Sequence, residues 1–440
     1  MTERSDFFLN KIKISDAGNN PVYKNRHIKN IKVKAAEALN ISRFLDTSGE
    51  KWKYTDLKLL FDKNFRTASR LPFKTVKKDL IKNTFCELKE GIHIVIIDGY
   101  FSEELSDLNN IPNGLSVSGF LYNNNIDSKT DMLGSVASVK NNSFLSLNSS
   151  LFEDYIIISA KSGAIIEEPV FITLISTGES ELTINSPRIF IHSGEGSRME
   201  VIEEYTGREN PTYLTNSVTE ILLEKNSFLN HHKIQLENKN SFHIGYLSVS
   251  QKDNSIFNAY LSSFGGSISR NEITASINGE SSECHLNGIY MLNGHQHIDN
   301  HTEIYHNSPG ASSSEKYHGI LDGETKAVFD GLIYVAKGAV KTDSTQSNNS
   351  LLISENATVD SKPALEIYAD DVKCSHSATV GQMDEESIYY LRSRGIGKED
   401  AVRILTSGFA DEIIEKFTIK PVKEKVSKIL SDKLSEMKNE

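Results

Sequence analysis

Apolar residues along this chain follow two different periods. Up to about residue 88 they fall at helix-like spacing, with Ala35, Ala36, Ala38 and Leu39 and later Leu57, Leu59 and Leu60. Pro72 and the lysines after it mark a boundary. From about 89 to 380 the texture changes to short runs rich in Ile, Val and Thr, set between Ser- and Asn-rich turns. Examples are His93-Ile94-Val95-Ile96-Ile97, Tyr155-Ile156-Ile157-Ile158 and Phe171-Ile172-Thr173-Leu174. After Gly381 the helical spacing returns. The pattern predicts a helical N-terminal region (1–88), a strand-built core (89–380) and a helical C-terminal domain (381–440).

The core repeats. Ser197-Arg198-Met199-Glu200-Val201 overlays Ser227-Phe228-Leu229-Asn230-His231, then Ser255-Ile256-Phe257-Asn258-Ala259 and Ser282-Glu283-Cys284-His285-Leu286. Each copy follows a polar turn ending at Gly196, Asn226, Asn254 or Ser281, and the serines advance by 30, 28 and 27 positions. Short strands and turns at this period, without intervening helices, predict a mainly β protein built as a parallel β-helix, whose coils bury their apolar faces on one another. A β-sandwich would give similar strands but no regular repeat length. Asn271, Asn278, Asn287, Asn293, Asn300 and Asn307 fit polar ladders between coils equally well as ordinary turn residues.

In the C-terminal zone Asp384 is an N-cap, Glu385 and Glu386 favour the helix dipole, and Arg392 precedes Gly395 as a left-handed stop. A second helix carries Ala401, Ile404 and Leu405 and then Ile413, Ile414 and Phe417 around an interruption at Gly408. A third carries Val422, Val426, Ile429, Leu430 and Met437. Such helices serve either to cap an open solenoid edge or to dock a partner.

Charge narrows the function. A net charge of −11 over 440 residues argues against nucleic-acid binding as the main task. The basic run Lys24, Arg26, Lys29, Lys32 and Lys34 reads as a solvated helix face. Three scattered cysteines, Cys86, Cys284 and Cys374, form no disulfide framework and fit a reducing compartment. A polar start and the lack of a long apolar run predict a cytoplasmic protein with no membrane span.

One segment carries candidate chemistry: Asp370-Asp371-Val372-Lys373-Cys374-Ser375-His376. In an extended strand positions i and i+2 share a face, so the Cys374 thiol and the His376 imidazole project together, which suits a soft metal or sulfur. An ordinary surface pair at a strand end fits the same residues. Asp370 and Asp371 read as a solvated turn or as groups that orient the imidazole. Six of the thirteen histidines fall between His285 and His318 (His285, His295, His297, His301, His306 and His318) and read as scattered surface residues, because no metal motif accompanies them. Cys284 lies in the alternating apolar repeat as a core residue, and Cys86 has no partner motif. The chain has no phosphate-binding Gly-x-x-x-x-Gly-Lys-Ser/Thr and no convincing dinucleotide fingerprint.

The run Gly331-Leu332-Ile333-Tyr334-Val335, then Gly338 through Thr342-Asp343-Ser344-Thr345-Gln346-Ser347-Asn348, resembles the signature of the SufB/SufD family of iron–sulfur cluster assembly proteins. The likeness continues through Leu351-Leu352-Ile353-Ser354, Pro363-Ala364-Leu365-Glu366-Ile367, the Cys374-x-His376 segment and Tyr390-Leu391-Arg392-Ser393-Arg394-Gly395. Upstream, Trp52-Lys53-Tyr54-Thr55-Asp56-Leu57, Val95-Ile96-Ile97-Asp98-Gly99-Tyr100-Phe101 and Phe144-Leu145-Ser146-Leu147-Asn148 are similar to the SufD branch, with Asp98 where an asparagine is usual. The resemblance implies a right-handed parallel β-helix flanked by helical domains, and a non-catalytic scaffold subunit. It implies pairing with SufB through the β-helix and docking of the ATPase SufC on the C-terminal helices, with a homodimer in isolation. A nascent iron–sulfur cluster would be shared with SufB at His376 and Cys374, and ATP hydrolysis would belong to SufC. Ligation of iron by thiolate and imidazole agrees with that chemistry, and two donors on one chain require completion by another. The alternative from another class is a polysaccharide-active β-helix with paired carboxylates. It predicts a secretion signal and aromatic platforms, and the chain holds a single tryptophan.

Overall fold

The structure, a computed structural model, describes residues 25–41, 50–70, 81–120, 128–139, 142–178 and 182–436. Its centre is a parallel β-solenoid of about seven turns in which each coil gives one strand to each of two facing sheets. The repeat read from the serines is the coil. Ser197, Ser227, Ser255 and Ser282 each precede a strand of the second sheet, at Arg198, Phe228, Ile256 and Glu283. The amide of Phe228 donates to Ser197 O at 2.8 Å, Ile256 to Ser227 O and Glu283 to Ser255 O at 2.9 Å. The turn residue before each serine, Gly196, Asn226, Asn254 or Ser281, has φ between +54° and +68°. Gly and Asn enter that left-handed region most easily, which is why the turns are polar and recurrent.

Alternation sorts side chains inward and outward. Met199, Leu229, Phe257 and Cys284 stand in register and build the interior core with Val201, Ala259 and Leu286 from the same strands. Cys284 is a core residue, as its place in the repeat predicts. Asparagine ladders also form: Asn271 Nδ2 donates to Asn300 inside the solenoid and Asn307 Nδ2 to Asn278 outside. The interior is not apolar throughout. Between the strands Arg198–Gly207 and Phe242–Gln251 it encloses Glu203, His231, Lys233, Glu237 and His243. Tyr205 and His231 hydrogen-bond Glu203 at 2.6 and 3.0 Å, and His243 Nδ1 meets Glu237 at 2.6 Å. Lys233 Nζ lies 2.9 Å from His243 Nε2 and donates to Asn271 Oδ1 at 3.0 Å. Burial pulls this ammonium down to about 8.

Helices flank the sheets. Helix α1 (Arg26–Ile41) packs on a helix in the region read as strands alone, Ser143–Leu151. Asn142 caps that helix by accepting from Leu145 N at 2.9 Å, and Phe144, Leu147 and Leu151 recur at helical spacing, which the β-rich surroundings mask in the sequence. Among the described residues the α-helices, in chain order, are α1, the single turn α2 (Lys58–Phe61), α3 (Ser143–Leu151), α4 (Glu385–Ser393), α5 (Lys398–Ile414) and α6 (Lys420–Glu436). Lys32 corrects the reading of the basic run as a solvated face. It is buried, its ammonium lies 4.3 Å above the Phe152 ring and donates to Ser150 O and Phe152 O, and burial lowers it to about 7. Lys24 lies outside the described residues.

At the C-terminus Asp384 caps α4 and Gly395 takes φ +87° after it, as predicted. Gly408 does not interrupt α5. The helix runs through it with open space beside its Cα, so the glycine costs only about 1 kcal/mol of helix propensity. Phe417 falls beyond the helix, and Met437 lies outside the described residues. Helices α5 and α6 lie along the outer face of the second sheet, where Ala410, Ile413, Val422, Val426 and Leu430 cover Ile202, Ile234, Tyr260, Ile289 and Ile320. They do not sit over the solenoid's end.

Candidate functional site

The two ends of the solenoid differ. At the N-terminal end both sheets finish on antiparallel strands, Tyr100–Phe101 and Leu115–Gly119, and Phe101, Leu115 and Val117 seal the interior core. At the C-terminal end the last strands, Thr358–Ile367 and Lys373–Gln382, have a neighbour on one side only among the described residues. Ala357 before them is buried, but within these two strands every residue is half-buried or exposed. The inward column that would seal the core is left bare, with Ile367 at 40% and Val380 at 45% exposed. Of ten large apolar side chains exposed among the described residues, seven follow Gly338: Val340, Ile367, Tyr368, Val380, Tyr389, Tyr390 and Ile404.

Cys374 and His376 stand on the edge strand Lys373–Gln382, in register with Ser344 and Gln346 of the coil behind. Ser344 and Gln346 are buried on the inward side, so the Cys-x-His pair shares the inward face at an uncovered mouth. Cys374 is half-buried against the cluster of Ile333, Val335 and Ala339, while His376 is exposed. Burial, and secondarily the Asp343 carboxylate, raise the Cys374 thiol. A thiol raised in this way needs a metal or a positive charge brought beside it to become a strong ligand. Asp370 and Asp371 form an exposed bend between the two edge strands, and Asp371 is used there through its carbonyl, which accepts from Lys341 N. Among the described residues no group of three or more His, Cys, Asp and Glu side chains is arranged to hold a metal ion. The mouth therefore carries one thiol and one imidazole on the same inward face.

Two interior columns behind the mouth escaped the sequence reading. Behind Cys374 run Ser344 and Ser313, bonded at 2.6 Å, with His306 Nε2 2.9 Å from Ser313 Oγ. Behind His376 run Gln346 and Glu315, with Gln346 Nε2 donating to Glu315 Oε2 at 2.7 Å. Glu315 is buried, and desolvation pushes its carboxyl up to about 7. The signal was available: Ser344 and Gln346 precede Cys374 and His376 by 30 residues, the length of one coil.

The histidines between His285 and His318 are scattered, but not all on the surface. His306 faces the interior and burial lowers it to about 4. His301 is buried on the outer face between Glu303 and Asp330. His318 is stacked on Phe409 of α5 at 4.3 Å. His285, His295 and His297 are the more accessible ones. The surface reading fails for His306 because it faces the interior, and for His318 because Phe409 of α5 covers it. Cys86 is half-buried and donates to Thr173 Oγ1 at 3.2 Å.

The fold is thus a two-sheet β-solenoid with an open C-terminal coil, an edge Cys-x-His pair and flanking helices. Comparison with known proteins gives the family. Residues 174–409 match the model described as SUF system FeS cluster assembly, SufBD core domain, and residues 21–172 match the SufBD protein N-terminal region. The chain belongs to the SufBD family of iron–sulfur cluster assembly proteins. It is 31% identical over 379 residues to the iron–sulfur cluster assembly protein SufD of Escherichia coli (strain K12), covering 86% of each chain. It is 30% identical over 407 residues to the chloroplastic protein ABCI7 of Arabidopsis thaliana (90% of this chain, 84% of the relative). It is 27% identical over 275 residues to the SufD protein of Bacillus subtilis (strain 168), covering 61% and 62%. The polysaccharide-active alternative is not favoured. Among the described residues no helix is long and apolar enough to cross a membrane.

Proposed function

We propose that this chain is a SufD-like, non-catalytic scaffold subunit of a cytoplasmic iron–sulfur cluster assembly complex. Its open C-terminal coil pairs with the paralogue SufB, and the cluster, as cargo, forms across that junction with His376 and Cys374 as this chain's donors. The observation that carries the reading is the coincidence of the Cys374-x-His376 strand motif with the uncovered end of the core. A parallel edge strand invites another strand, whose main chain supplies affinity and whose side chains complete the site. Iron–sulfur ligation uses thiolates, with imidazole as substitute, so a second chain bringing further donors completes the coordination. A second copy of this chain would occupy the same edge in isolation.

The C-terminal helices are the docking element for the ATPase SufC. Their sheet-facing side is already used, and α4 buries no residue at all while presenting Tyr389 at 73% exposure. Deleting 381–440 would uncover the apolar second sheet, so the discriminating variants are Ile404→Asp and Tyr389→Ala. Each is expected to weaken SufC binding in a titration without changing the melting profile, and unchanged affinity in both would refute the docking role. The site itself is tested by His376→Ala in the complex with SufB and SufC. Iron and sulfide content should fall to a small fraction of wild type with the complex intact, and wild-type content would show that the motif is structural. Cys374→Ser is expected to be milder, since SufB brings its own thiolate.

A further inference from the structure

We propose that Gln346 is a positioning residue for His376, acting as the acceptor that fixes the imidazole's tautomer and presents its other nitrogen to the mouth. This rests on the reading of His376 as a donor to the cluster. In a parallel ladder each coil's inward side chain stands between those of the coils before and after it. Glu315, Gln346 and His376 occupy one such column, paired residue for residue. The Gln346 side chain is nearly fully buried, and its amide nitrogen is committed backward, donating to Glu315 Oε2 at 2.7 Å. An amide whose nitrogen points to the coil behind turns its oxygen away from it. That oxygen, Oε1, is buried and has no hydrogen-bond partner among the described residues. The next residue in the column is His376.

The surroundings hold the amide in this pose. Gly331 faces it from the opposite sheet, and a Cβ there would run into Gln346 Nε2 and Phe329, so the bare glycine is what admits the side chain. A buried acceptor left unsatisfied costs roughly 1–3 kcal/mol. An imidazole N–H donated to it removes that cost and leaves the remaining ring nitrogen unprotonated, the form that binds a metal. Metal-binding histidines generally donate their second N–H to a carbonyl or carboxylate, and losing that support weakens metal affinity about 10–100-fold. Here the support is a glutamine whose orientation is set by a carboxyl one coil deeper, out of reach of solvent.

The test reads the tautomer of His376 by long-range 1H–15N spectra of the histidine-labelled, metal-free full-length chain. Wild type is expected to show one dominant tautomer. Gln346→Met, which keeps the volume but removes the acceptor, is expected to give a mixture. In the complex with SufB and SufC it should retain about 10-fold less iron or worse. Glu315→Met, which frees the Gln346 amide to flip, is also expected to give a mixture, so the proposal stays testable if Gln346→Met fails to fold. A single unchanged tautomer in either folded variant would overturn it. The tautomer readout needs no metal. If His376→Ala keeps its iron while Gln346→Met scrambles the tautomer, the cluster-ligand reading fails and the positioning inference stands.

Discussion

The solenoid closes one end with its own chain and leaves the other bare. At the N-terminal end antiparallel strands turn back over the core, and α1 and α3 wrap the adjoining sheet. The fully buried Arg188 ties that wrapping together. Its guanidinium donates to Asn148, Ser149 and Glu220, and Glu220 in turn accepts from the amides of Gly134, Val136 and Ala137. At the C-terminal end the same repeat simply stops, with a row of inward side chains and an edge of main-chain groups facing solvent. The difference teaches that identical coil physics yields a sealed core where the next layer is supplied in cis and an unpaired edge open to another chain where it is withheld. Stability and function are then separable by end.

Breaking the closed end should cost most. Arg188→Met leaves Glu220 buried without its counter-charge, and such half-pairs cost about 3–5 kcal/mol. Urea denaturation should show that loss, and a shift under 1 kcal/mol would mean that the three amides alone satisfy Glu220. The flank on the second sheet should respond to acid. His232 stacks on Tyr260 at 4.5 Å, meets Thr418 Oγ1 at 3.0 Å and touches the Phe417 ring. Burial, then the neighbouring His231, depress its pKa to about 3 from an ordinary 6.5. The undocked form binds the proton more readily, so docking is fully stable above about pH 6.5 and weakens as pH falls from there toward 3. Proteolytic release of α5–α6 should therefore rise between pH 6.5 and 5 in wild type and less so in His232→Phe. Equal acid sensitivity in the two would sink the assignment.

At the open end the effects on stability should be small and the effects on assembly large. Val380→Lys places a charge on the bare inward column and should reduce pairing with SufB at least 10-fold, a change of about 1.4 kcal/mol. The isolated chain's melting should not move. Unchanged pairing would place the junction elsewhere. Smallest of all, His376→Ala should alter unfolding free energy by no more than about 0.5 kcal/mol, since the side chain is exposed. A larger loss would make His376 part of the fold rather than of the site.

Much of the solenoid was legible because each coil needs a left-handed turn residue and a fixed strand face, and both leave marks at Gly196, Asn226, Asn254 and Ser281. Helix α3 was not, because Phe144 to Leu147 reads as strand among strands and only its cap and the covering sheet decide otherwise. Gly408 misled because a lone glycine on an exposed helix surface is tolerated. Lys32 and His306 misled because residue type reports polarity, whereas burial is decided by which element arrives later in the chain. The Cys374-x-His376 pair was visible as a motif. Its inward direction and the Gln346–Glu315 column behind it depend on strand register, which pairs residues 30 positions apart.

A stack of similar coils carries an inherent ambiguity: shifted by one whole repeat, most apolar rows would still meet apolar rows. The ionic belt of Glu203, His231, Lys233, Glu237 and His243 removes it. Across coils Glu203 meets His231, and Lys233 meets His243 and Asn271, so a slip by a coil would part these groups and strand an ammonium or a carboxylate in the dry interior, at a cost of several kcal/mol per ion. The belt thus works as a page number for the chain, letting a repetitive polypeptide count its own turns so that the last one ends with Cys374 and His376 at the rim.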